Sequence, residues 1–342
     1  MSEAGGRVAI LAILAAPIAM KIPFGPVPLS PTDLFLATAI ALMAAARVRW
    51  SNVVAEVQCL EPCTPFLVAM VVAALVSHEH AVAVKELLQV LLCAAAGVWL
   101  FSTCARDVRW RRRCFFGIRA TILFALIGLA IQRAFPATPA VAWFANPYSL
   151  ACLSGILVCL LMTADSPVRG LSRACDHVLI GVAFCAVAVC LMWSPVSGAP
   201  ALLGDVVGEP VPQRFLEAYA ALSVLSSHPL TGLGLGSYQV HIGAYFQGMP
   251  KENSIAPGTQ IGYCILIAST GVCGLAAFLY WLWQLLLRAW QCSSRPFAML
   301  AAPAFLVFVG VLTPILVSQI LTPLALVHGL LWIGKDEKCA ES

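Results

Sequence analysis

The chain has 342 residues, 61% of them hydrophobic and 11% charged, with a net charge of +4 and a mean hydropathy of +0.91. Soluble domains carry about 25% charged residues. A deficit of this size, falling in long apolar blocks, excludes an ordinary soluble domain and a nucleic-acid-binding surface. It predicts an all-α, polytopic membrane helix bundle forming one transmembrane domain over 1–342.

Taken in order, ten stretches are apolar enough to be read as spans: near 7–22, 30–46, 62–77, 84–103, 115–134, 147–163, 176–194, 258–287, 297–314 and 317–334. The first resembles a signal peptide in composition. Lys21, Pro23 and Pro26 stand where a small-residue cleavage site belongs, so it is expected to stay as a span. Lys and Arg then fix the orientation. One set of alternate loops holds Arg47 and Arg49, the cluster Arg106–Arg113, Arg169 and Arg173, Arg288 and Arg295, and Lys335 and Lys338 in the tail. The other set holds only Lys21, Lys85 and Arg133 besides the long 195–257 segment. Both termini are therefore expected on the cytoplasmic side of the membrane, with 195–257 as an extracytoplasmic loop.

Most of the fourteen cysteines lie inside apolar runs, where Cys behaves as a small hydrophobe. None forms two pairs at zinc-ligand spacing.

The long polar segment has its own order. Gly198, Pro200, Gly204, Gly208, Pro210 and Pro212 break helix after the seventh span. Phe215, Tyr219, Leu222 and Leu225 then recur at helical spacing, predicting an amphipathic helix of about three turns on the membrane surface, ended by Pro229. Next comes GLGLGSY, with Gly232, Gly234 and Gly236 alternating. Backbone without Cβ atoms turns sharply or approaches a ligand closely. Lys251, Glu252 and Asn253 form a polar turn before the eighth span, which contains Gly262, Gly271 and Gly274.

The string HPLTGLGLGSY, preceded by an arginine-led amphipathic helix and followed by STGVCGL, resembles the O-antigen ligase and Wzy-type polymerase superfamily. Arg214, Pro229, Gly232, Gly234, Gly271 and Gly274 fall on that family's pattern. Asn146-Pro147 and Leu150-Ala151 resemble its middle span, and Ser197-Gly198-Ala199 its Ser-Arg-Gly-Ala motif. The likeness covers roughly 140–290. It departs at three places: Ser197 stands for an arginine, Gln260-Ile261 for a His-Asn pair, and Ser269 for an acidic residue.

What the resemblance implies is transfer of a saccharide from an undecaprenyl diphosphate-linked donor to a lipid or glycan acceptor. The leaving diphosphate then needs a cation, best met by the arginine fork. The acceptor hydroxyl needs a group to orient or deprotonate it. The candidate catalytic residues are Arg214, Gln260 and His241. The candidate substrate-binding residues are Arg133, Lys85, Gly232, Gly234, Gly236, Tyr238 and Lys251. No cofactor and no metal are expected, since the chain has no outer Asp-x-Asp and no histidine cluster. Each residue has a plainer reading: Arg214 as a lipid anchor, Lys85 and Arg133 as interfacial residues, His241 as a surface histidine, the glycines as a turn. Two other functions compete, a degenerate scaffold of polysaccharide assembly and a polysaccharide transporter. Scarce mid-span charge and the lack of an inverted repeat stand against the transporter.

Overall fold

In an apolar setting each backbone N–H and C=O must be satisfied within its own segment, which favours helices. The computed structural model describes residues 3–18, 22–24, 27–45, 61–97, 108–134, 213–238 and 262–292, with 153, 157, 241, 245, 321, 326 and 328 besides. The spans expected near 176–194 and 297–314 lie outside these residues, as does most of those near 147–163 and 317–334. Among the described residues there are seven helices and one short ribbon.

α1 runs Glu3–Ala15. The expected span to residue 22 ends earlier, because Pro17 lacks an N–H and two tight turns follow, Ala16 N–H to Ile13 at 3.2 Å and Ile18 N–H to Ala15 at 2.9 Å. Strands β1 (Ile22–Phe24) and β2 (Val27–Leu29) then pair antiparallel, with Pro23 opposite Pro28. This ribbon departs from the all-α expectation. Its two prolines face each other at the middle pair, where a ribbon needs no N–H from either.

α2 (Pro31–Ala45) opens on a capping box. Asp33 N–H donates to Ser30 Oγ at 3.2 Å, and Asp33 Oδ2 accepts from Ser30 N–H at 3.1 Å. Pro31 supplies the preset φ of a first helical residue. α3 (Thr64–Val76) and α4 (His80–Ala95) are joined by the three-residue turn Ser77–Glu79. α5 (Val108–Ala134) begins seven residues before the expected span, so Arg109, Arg111, Arg112 and Arg113 form its first turns instead of a loop. There Arg113 lies over the Trp110 ring at 4.7 Å.

α6 (Gln213–Ser227) and α7 (Gly262–Cys292) complete the set. α1 packs on α2 and α5, α3 on α4 and α7, and α6 on α7. The centre of the core is aromatic: Phe66 of α3 meets Phe278 at 5.3 Å and Trp281 at 5.7 Å. Thr121 of α5 donates to the Ile13 carbonyl of α1 at 3.0 Å. Gln89 of α4 reaches Asp33 of α2 at 3.4 Å. Trp281 Nε1 donates to His328 Nδ1 at 3.2 Å.

Among the described residues two helices are long and apolar enough to cross a membrane, over Arg112–Ile131 and Gly262–Arg288. Shorter apolar helices occupy Ala4–Ala15, Pro31–Leu42, Thr64–Val76 and Ala218–Ser227. A 13-residue helix such as α3 spans about 20 Å, less than the ~30 Å of a hydrocarbon core.

Candidate functional site

Residues 228–238 are the point where three elements meet. α7 is broken within its length: Gly271 has φ 67° and ψ −167°, a conformation open essentially to glycine alone. An unbroken helix would bond Val272 N–H to the Ala268 carbonyl. Here Val272 N–H donates to Pro229 at 2.9 Å, and Ala268 accepts from Leu233 N–H at 2.8 Å. The glycine segment thus replaces one helical hydrogen bond by two of its own, so neither freed group is orphaned.

The same segment closes the end of α3. Leu235 N–H donates to the Ala73 carbonyl, in the last turn of the helix, at 3.2 Å. Ser77 ties the next residues. Its hydroxyl donates to the Leu235 carbonyl at 2.7 Å. That uses its only proton, so the Ser237 hydroxyl at 2.8 Å is the donor of the second bond. Glu79 N–H also donates to Ser77 Oγ, at 3.1 Å.

This packing gives the glycines a structural reason of their own. Gly232, Gly234 and Gly236 have φ of 63°, 90° and 72°. A Cβ at Gly232 would overlap the Ala268 carbonyl, at Gly234 the Ser77 backbone, and at Gly236 the Val82 side chain. Protein atoms, not a ligand, fill the places the missing Cβ atoms leave. Tyr238 is fully buried among Ala220, Ala221, Val224, Ile265 and Ala268.

The other expected site residues scatter. Arg214 lies in the first turn of α6, a turn with no acidic residue, and Arg133 in the last turn of α5. Gln260 and Lys251 lie outside the described residues. Lys85 is half-buried on α4. His241 is brought into contact: its Nε2 stands 3.3 Å from Glu79 Oε1, both side chains half-exposed.

Two glutamates escaped the sequence reading. Glu79 was visible only as the residue between His78 and His80. Glu86, beside Lys85, faces the Gly236 backbone N–H, while its Oε2 is buried with no hydrogen-bond partner among the described residues. Val82 and Glu86, four residues apart, both lie at Gly236, so one face of α4 meets the glycine segment. Among the described residues no group of His, Cys, Asp and Glu could hold a metal. Compared with protein-family models and with curated proteins, the chain matches none.

Proposed function

We propose that the protein is a membrane glycan ligase or polymerase. It transfers a saccharide from an undecaprenyl diphosphate-linked donor to a sugar hydroxyl of a lipid or glycan acceptor. In this reading about ten spans cross a bacterial inner membrane, both termini are cytoplasmic, and the glycine segment lies at the extracytoplasmic end. Membrane lipid covers the outward apolar side chains, among them Val68, Val72 and Leu75 of α3, Leu88 of α4, Leu123 and Ile127 of α5 and Trp283 of α7.

The observation that carries the reading is the start of α6. A helix N-terminus bears a partial positive charge and free N–H groups. Its first turn ordinarily favours an acidic residue, yet here it holds Arg214 and none. A cation added to the positive end of a helix is unfavourable by itself and favourable once an anion arrives. A leaving diphosphate is such an anion. α6 also rests against broken α7, so the arginine rides on a fixed platform.

Deleting the gene and complementing with wild type or Arg214→Ala tests this. The surface-glycan profile on a gel is expected to regain long chains with wild type and not with the variant, at equal membrane levels. Equal restoration by both would reduce Arg214 to a lipid anchor. Gln260 and Ser197, standing where the resembled family has His and Arg, favour a second reading as a degenerate scaffold. In that case purified protein transfers nothing, although deletion still disturbs the glycan.

A further inference from the structure

Gln260 cannot take a proton from a hydroxyl at neutral pH. A group elsewhere must do so if the transfer reading holds, and this inference rests on that reading. We propose that His241 and Glu79 form the dyad that activates the acceptor, with Glu79 as the positioning residue and His241 as the base.

The geometry supplies both roles. His241 Nε2 stands 3.3 Å from Glu79 Oε1, ion-pair distance for an imidazolium formed beside the carboxylate. Nε2 faces Glu79, so Nδ1 is the nitrogen left for the acceptor. Glu79 is itself held. Its N–H donates to Ser77 Oγ at 3.1 Å and its carbonyl accepts from Ala83 N–H at 2.9 Å. Ser77 in turn donates to Leu235. The Glu79 backbone is therefore fixed to the turn on which the glycine segment lies, and the imidazole beside its carboxylate is half-exposed. Carboxylate–imidazole pairs act in this way when one partner orients the ring and stabilises the imidazolium.

The step balances without a further reactant. The acceptor hydroxyl gives its proton to His241 Nδ1, and its oxygen bonds to the anomeric carbon of the donor. The bond from that carbon to the diphosphate breaks, and the electron pair leaves with the phosphate. The imidazolium pairs with Glu79 and later loses its proton to water.

The test uses full-length protein in membranes of the deletion strain, supplied with their own lipid-linked donor and an acceptor glycan. His241→Ala and Glu79→Gln are each expected to lower kcat about 100-fold or more with the acceptor KM unchanged. Glu79→Asp is expected to recover part of the loss. The double variant His241→Ala with Glu79→Gln is expected to lose no more than His241→Ala alone, as a pair acting as one unit requires. Full kcat in either single variant overturns the dyad, as does an additive loss in the double variant. Absence of transfer by wild type overturns the function itself, which separates the two failures.

Discussion

At the scale of single residues, the glycines divide by what a methyl group would meet. Gly234 and Gly271 have positive φ and face backbone atoms, which cannot step aside. The left-handed backbone alone costs about 1–2 kcal/mol for an ordinary residue. Gly234→Ala and Gly271→Ala are therefore each expected to cost at least about 2 kcal/mol, read as a large fall in melting temperature in detergent. Gly117 is the contrast. A Cβ there meets only the Ile10 Cγ2 atom, at 3.2 Å. Alanine also gains about 1 kcal/mol of helix propensity over glycine, so Gly117→Ala is expected to melt within a degree or two of wild type. Ser77→Ala belongs at this scale too. It removes the donor to the Leu235 carbonyl and the acceptor of two bonds, and is expected to cost about 1–3 kcal/mol. Ser237→Ala leaves Ser77 donating to Leu235 and is expected to cost less. An equal loss from both serines would refute this ordering.

At the scale of elements, α6 shows how one helix divides its faces. The sequence stripe Phe215, Tyr219, Leu222 and Leu225 predicts a face turned to the membrane surface, and Tyr219 and Leu222 do point outward, 50% and 61% exposed. The small residues Ala220 and Ala221, with Val224, form a second face that packs on α7. The helix has two apolar faces with different partners. Small side chains let backbones approach closely, and the large ones are left for the surroundings. Ala221→Leu is expected to destabilise by about 1–3 kcal/mol through overpacking, whereas Leu222→Ala in detergent stays within about 0.5 kcal/mol of wild type. Thermal melts of the purified variants decide it. A reversed order would return the packing face to the large residues.

At the scale of the whole molecule, the 77–79 turn and the glycine segment share one end of the bundle, joined by Ser77. Cysteines introduced at His80 and Ser226, both exposed, are therefore expected to react with an impermeant maleimide from the same side of the membrane. If one reacts in intact cells and the other only after permeabilisation, the juxtaposition fails. A parallel Cys273→Ser sample removes the label of that exposed native cysteine.

Sequence alone determined the helical class, because long apolar blocks with so few charges leave few ways to satisfy a backbone. It also marked local stops that depend on neighbouring residues: the end of α6 before Pro229, and the turn glycines at 232, 234 and 236, where the backbone is left-handed. It misjudged element lengths, since apolar composition does not say whether arginines continue a helix, as they do at the start of α5. What the glycines are for was decided only in three dimensions. Their Cβ positions are taken by Ala268, Ser77 and Val82, residues far off in the chain, and periodicity is silent about such partners. The His241–Glu79 pair likewise joins two distant segments. A contact of that kind is set by how helices stack and where one of them breaks, and that is a property of the packed molecule alone.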